Sequence, residues 1–302
     1  DYLVGGGLAL DSTRAARAID EQIAQPLAVG VDAAAFGIHR VANATMSRAL
    51  RAVSSERGRD TRQFVLFAFG GNGPVHAASL AASLDITTVL IPPAAGVFSA
   101  MGLLFPPLEM HFIRTFKCDL ASVSAGELSG VREVLEAEGG AALAHEGYDL
   151  DAVEFEHLAD VRYQGENSTL TVSAAEPQPQ AIAQAFEDEH EQTYGYRSPS
   201  ETVELVNVRL IARGITDGDR VPDALSLAEL RIAPAENDRR RNVFFGPDFG
   251  RLLTPVVARE TLTAAWREGP LIVEEYDSTT VVPPGARIRA AAWKMLEMRL
   301  AG

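Results

Sequence analysis

Phe64-Val65-Leu66-Phe67-Ala68-Phe69-Gly70-Gly71-Asn72-Gly73-Pro74-Val75-His76 is the stretch that decides how this chain is read. An apolar run rich in aromatics stops at the glycines, and Val75 to Leu84 resumes with helical composition and spacing. The pattern predicts a buried strand over 64–69, a glycine turn at its carboxyl end, and a helix starting from that turn. Open α/β sheets hold ligands at such ends. A glycine backbone adopts positive φ and lets a ligand approach closely. The unpaired N–H groups of a helix start favour anions such as phosphate. Plain connectors share this composition, so the turn alone leaves connector and phosphate site equally open. Its spacing is G-G-x-G followed by Pro74, which is not the dinucleotide G-x-G-x-x-G. No Lys-Ser/Thr follows, so it is not a P-loop either.

Working outward, Thr87–Ile91 reads as a second strand, and strand–helix–strand implies a right-handed unit with a parallel pair. Upstream, Asp11 or Ser12 is placed to cap a helix running to about Ala24, where Pro26 stops it. Asp32 is expected to cap a longer helix reaching about Ser55. Ile38, Val41, Ala42, Met46, Ala49, Leu50 and Val53 would be its buried face, with Arg40, Arg48 and Arg51 opposite. Glu56-Arg57-Gly58 gives it a glycine stop. Gly5-Gly6-Gly7 reads as a loop. Ile86–Leu108 carries no charge and is long enough to cross a bilayer. Pro92-Pro93, Gly96, Gly102 and Pro106-Pro107 cut it, and prolines break a helix, so a short helix near Val97–Leu104 is expected instead. A strand at His111–Phe116 closes this part.

Beyond Lys117 the character changes. A helix is expected over Ala125–His145, then strands Ala152–Tyr163 and Ser168–Ser173 joined by a Gln164–Asn167 turn. A helix ending near Tyr194 follows, then strand Val203–Gly214 and short strands at Leu271–Val273, Thr279–Val282 and Ile288–Ala292. The domains expected are 1–117 and 118–302, the second α+β with much antiparallel strand.

A formal net charge of −14 argues against nucleic acid or an anionic membrane as partner. Apolar content of 47% with 23% charged residues is that of a folded protein. Cys118 is the only cysteine, which excludes an intrachain disulfide and a thiolate cage and suits a reducing cytoplasm; it reads as a small buried hydrophobe. No histidine pair has metal-ligand spacing on one helix face, so no metal residues are assigned. His76 either faces a phosphate or base, or caps and packs. Glu189-His190-Glu191 reads as a solvated helix face. Ser99 lies outside any GxSxG elbow. Asp277-Ser278-Thr279-Thr280 is either a ligand-facing turn or an Asx-turn between strands.

Several segments together resemble the hydantoinase A/5-oxoprolinase family. They are Val41-Ala42-Asn43 with Met46, Val53–Gly58, Phe67–Ala77, Pro92–Leu104, Arg162–Glu166, His190 with Tyr194-Gly195-Tyr196, Val206–Arg209 and Asp277–Gly285. The resemblance implies an actin-like, ribonuclease-H-type ATPase core. Residues 1–117 would lie in its second lobe, with Gly70, Gly71, Asn72, Gly73 and His76 as nucleotide-binding residues. It implies ATP with magnesium, phosphorylation of a cyclic amide such as a hydantoin or 5-oxoproline before hydrolysis, and a B-type partner in a homo- or hetero-oligomer. Relatives carboxylate ketones, which keeps a carboxylase subunit as an alternative, beside a silent nucleotide-binding scaffold. The family's Asp-x-Gly-Gly-Thr phosphate loop has no counterpart in this sequence. The catalytic residues are therefore not assigned, and these 302 residues alone are expected to hydrolyse ATP poorly.

Overall fold

The structure is a computed structural model that describes residues 2–3, 7–215 and 239–301. Its elements begin with β1 (Tyr2–Leu3), β2 (Leu8–Ala9), α1 (Ser12–Ile19), α2 (Val31–Ala52), β3 (Leu66–Phe67), α3 (Gly73–Ser83), β4 (Thr88–Ile91) and α4 (Phe98–Gly102). Next come β5 (Leu108–Asp119), α5 (Ala125–His145), β6 (Val153–Tyr163), β7 (Leu170–Ser173), α6 (Pro179–Tyr194) and β8 (Val203–Gly214). Then follow β9 (Arg240–Phe244), β10 (Arg251–Ala258), β11 (Arg267–Glu268), β12 (Leu271–Glu274), β13 (Thr279–Val282), β14 (Arg287–Ala290) and β15 (Leu296–Arg299).

They form two compact units. The first comprises the described residues of Asp1–Ser55, Asp60–Leu103 and Pro222–Gly302, the second those of Glu56–Arg59 and Leu104–Val221. These units cut the chain differently from a division at 117, because β15 pairs antiparallel with β4 and so joins the chain's last strand to its first parallel pair.

In the first unit one sheet runs β11–β14–β15–β4–β3 and a second β13–β12–β10–β9. β3 and β4 are parallel, as the strand–helix–strand pattern requires. Ala77 and Ala81 of α3 pack in one core with Val89, Ile91, Val273, Val282 and Met298. Alanines on that helix face let it lie close to the strands, and each larger aliphatic side chain buried there is worth about 1.5–3 kcal/mol.

Three expectations change here. The strand expected over 64–69 is only Leu66–Phe67, paired on one side alone, and Phe64 and Val65 are half exposed. Composition shows an apolar run; it does not show that the run ends a sheet. Helix α2 is capped by Gly30, while Asp32 pairs with Arg251 at 2.5 Å. Its buried positions are Ala34, Asn43 and Ser47, whereas Ile38, Val41 and Val53 are exposed. The reason is that α2 meets α3 through polar contacts, including Ser47 Oγ to Ser83 Oγ at 2.7 Å. Helix α1 is capped by Asp11 as expected, and a π-helical turn, Asp20–Ala24, carries the chain on. Gly5 and Gly6 lie outside the described residues.

The second unit is an antiparallel sheet, β5–β8–β6–β7, with α5 and α6 packed on its core. The bounds expected for α5 and β8 are those observed, and Ser124 with Glu127 forms a capping box at the start of α5. Along β8, Val208, Leu210 and Ala212 are buried. The alternate positions Asn207 and Arg209 both reach the buried Asp160: Arg209 Nε lies 2.7 Å from each carboxylate oxygen and Asn207 Nδ2 donates at 2.8 Å. His190 is fully buried, which corrects the solvated-face reading of Glu189-His190-Glu191. Tyr163, Phe186, Tyr194 and Tyr196 surround it, and long-range packing of this kind leaves no trace in local polarity.

Candidate functional site

Gly70 has φ +87°, a conformation that suits glycine, and its N–H donates to Ala95 O at 2.7 Å. The chain turns through Gly71 and Asn72 into α3, with Asn72 as N-cap and Pro74 in the first turn. Gly73 N–H donates back to Gly70 O at 3.2 Å. Gly71 and Asn72 are exposed, and among the described residues their N–H groups meet no acceptor. Two free donors at the positive end of a helix of 11 residues make an anion-accepting corner.

Two further segments converge on this corner. Asp277, at the tip of the β12–β13 hairpin, accepts the Gly96 N–H at 2.8 Å through Oδ2. A Cβ on Gly96 would stand 2.6 Å from Asp277 O, and one on Gly71 3.3 Å from the same oxygen. Of the two readings of Asp277–Thr280, the hairpin is observed, and its tip also borders the glycine turn. Beneath it lies Arg259, 8% exposed, donating to Ile91 O, Pro92 O, Lys294 O and both oxygens of Glu275 at 2.8–3.0 Å. Burial pushes Glu275 above the usual carboxylate range, against the pull of Arg259. Arg259 thus ties the loop after β4 to the hairpin that carries Asp277. No sequence signal marks it.

His76 is spoken for on both ring nitrogens: Nδ1 is 2.7 Å from Asn43 Oδ1 and Nε2 is 3.1 Å from Asn72 Nδ2. An amide nitrogen only donates and an amide oxygen only accepts. The ring is therefore neutral, with its proton on Nδ1. Burial lowers its pKa, and burial followed by the nearby His76 lowers that of His39, whose ring stacks on it at 4.7 Å. His76 packs beside the turn in this arrangement and holds the Asn72 side chain. Asn43, missed as a functional position, completes that relay. Across α3 opens a cavity of about 530 Å³ lined by Phe36, His39, Ser79, Phe244, Pro283 and Leu300, among others.

Ser99 is exposed on α4. Cys118 is half-buried rather than buried, and burial raises its thiol pKa. Among the described residues no three His, Cys, Asp or Glu side chains could jointly hold a metal ion, and no helix is long and apolar enough to cross a membrane.

These features define an α/β protein with an anion-accepting turn at a helix start. Models of two family segments match it: hydantoinase/oxoprolinase over residues 1–110, and the hydantoinase/oxoprolinase C-terminal domain over 119–301. The chain belongs to the hydantoinase/oxoprolinase family. It is 35% identical to an uncharacterised protein of Methanocaldococcus jannaschii, over 94% of this chain and 40% of that one. It is 29% identical to the caprolactamase alpha subunit of Pseudomonas jessenii, over 95% of this chain and 42% of that one. The crystal structure of that ATP-dependent caprolactamase superposes with a TM-score of 0.84 at 27% identity, over 100% of this chain and 45% of that one. The beta subunit of acetone carboxylase from Xanthobacter autotrophicus is 27% identical over 68% of this chain and 30% of its own. The chain thus spans less than half the length of these relatives.

Proposed function

We propose that this chain supplies a phosphate-binding wall to an ATP-dependent hydrolase of cyclic amides. The observation that carries this is the pair of free, exposed main-chain N–H groups at Gly71 and Asn72, beside an Asn72 side chain held by His76 and Asn43 and bordered by Gly96 and Asp277. Such a corner fits phosphate oxygens. The ATP-dependent caprolactamase that the chain resembles supports the reaction class, and phosphorylation of the ring amide oxygen would remove the resonance that protects an amide from water. The residues suit magnesium only as an ion that arrives with the phosphates: Asp277 offers a single carboxylate, and Mg²⁺ bound through one carboxylate plus substrate phosphates is a usual arrangement. An actin-like arrangement of the core, a B-type partner and a cytoplasmic setting belong to the same reading. So does poor ATP turnover by these residues alone.

The experiment is amide NMR with Mg-ATP, followed by ATP-turnover assays. Expected is a saturating shift at Gly71 and Asn72 that adenosine does not reproduce, and turnover, once a partner subunit is added, that responds to hydantoin, 5-oxoproline or caprolactam. Unmoved Gly71 and Asn72 amides would sink the phosphate wall. Turnover that responds only to acetone with bicarbonate would favour a ketone carboxylase subunit, the reading to which the acetone carboxylase similarity points.

A further inference from the structure

The second unit holds a hollow that this reading does not use. It has a volume of about 440 Å³ and lies between the β6–β7 turn and the end of α6, lined by Gly165, Glu166, Asn167, Ser168, Tyr194 and Tyr196. Gly195 ends α6 at φ +84° and turns the chain so that both tyrosines flank it, each about half exposed (49% and 51%). Behind them is the buried His190 ring, 4.7 Å from Tyr194 and 4.8 Å from Tyr196.

The chemistry of His190 is set by its partners. Nδ1 lies 2.9 Å from Tyr196 O, a carbonyl that only accepts, so Nδ1 carries the proton and donates. Nε2 is buried with no hydrogen-bond partner among the described residues, and Glu166 Oε1 stands 3.6 Å from it, beyond hydrogen-bond reach. Glu166 Oε2 takes only the Tyr163 N–H, at 3.3 Å. Nε2 and the Glu166 carboxylate therefore face each other at 3.6 Å, and the carboxylate, about one-third exposed, takes no arginine or lysine among the described residues. A buried ring nitrogen without a hydrogen bond is uncommon.

We infer that this hollow is a binding site for an organic cation, an alkylammonium or guanidinium group carried by a small molecule or by a lysine or arginine side chain of a protein. Its one charged lining residue is Glu166, which repels anions. A hard metal ion needs six or more oxygen ligands, or waters and phosphates in their place, and one carboxylate is a poor start. Two half-exposed tyrosine rings beside a carboxylate suit a cation with apolar substituents, since the ring quadrupole attracts it while carbon is buried against the ring. His190 acts from behind as a positioning residue: its ring packs against both tyrosines, and the Tyr196 carbonyl holds it in place.

The test is NMR titration of the full chain with n-butylammonium, ethylguanidinium and Nα-acetyl-lysine amide, whose side-chain ammonium is free, with n-butanol and butyrate as neutral and anionic controls. Expected are saturating shifts at the Gly165–Ser168 amides, the Tyr194 and Tyr196 rings and the His190 imidazole, for the cations alone. Glu166→Gln keeps an acceptor for the Tyr163 N–H and should weaken binding by about tenfold. Tyr194→Leu should weaken it by about threefold. Tighter binding of the lysine amide than of n-butylammonium would mark a protein side chain as the source, and the reverse a small amine. Equal shifts with butyrate or butanol, unchanged affinity in Glu166→Gln, or shifts no larger than sodium chloride produces would each overturn the proposal.

Discussion

The two units bury an arginine–carboxylate pair in different ways. In the first both members are buried, and Arg259 gathers three main-chain carbonyls and Glu275 around itself. In the second only the carboxylate is: Asp160 is 1% exposed and gathers Thr171, Asn207 and Arg209, while Arg209 stays about one-third exposed. A buried guanidinium with fixed, forked donors can knot several loops at one point. A buried carboxylate fed from neighbouring strands ties a sheet that its ladder already defines. The first device builds a corner where loops meet; the second reinforces regular structure.

Removing the arginine from each pair should expose that difference. Arg259→Ala leaves Glu275 buried with only Ser278 Oγ beside it, at 3.2 Å, and should cost about 3–5 kcal/mol. Arg209→Ala leaves Asp160 with two donors, and should cost only about 1–3 kcal/mol. Urea unfolding with amide exchange followed in each unit measures both, and equal losses would remove the distinction. Next in size is Gly96→Ala. Its Cβ would meet main-chain Asp277 O at 2.6 Å, so the hairpin must shift, at about 1–3 kcal/mol, with the Gly71 and Asn72 amide resonances moving while the second unit's stay put.

The smallest effect is that of pH. His39 and His76 in the first unit and His157 in the second have lowered pKa values; burial is the leading cause for all three, joined at His157 by Arg132 and opposed there by Glu136. As pH falls through about 6.5, the unfolded chain takes up these protons before the folded one does, so stability drops. Glu275 works in the other direction, because a raised carboxylate pKa makes the folded state the better proton acceptor as pH falls. At Asp160, burial is outweighed by hydrogen bonds from Asn207, Thr171 and Arg209, so its pKa is lowered and its contribution is lost only below about pH 4. Amide exchange between about pH 7 and 5 should show the first unit losing more protection than the second, and His76→Asn should flatten that slope.

The parts of the molecule that sequence made legible are those encoded locally. The capping box of α5, the alternation along β8 and the glycine turn before α3 each need only a few consecutive residues. The helix-to-turn corner was readable for that reason, and the family resemblance tied Asp277 and Pro92–Leu104 to the same chemistry without showing that they meet. Arg259 was not readable, because its acceptors lie 16 to 168 residues away. His190 was misread because its flanking glutamates report solvent while its ring reports the core. The apolar stripe of α2 misled for a related reason: periodicity marks a stripe and cannot name its neighbour.

Gly96 and Asp277 stand 181 residues apart, yet they behave as one position. A chimaera that takes its last third from a relative whose hairpin tip is one atom bulkier would inherit a collision at residue 96 rather than at its own splice point. Recombination between members of this family should therefore keep these two segments from the same parent, even where every junction between them looks harmless.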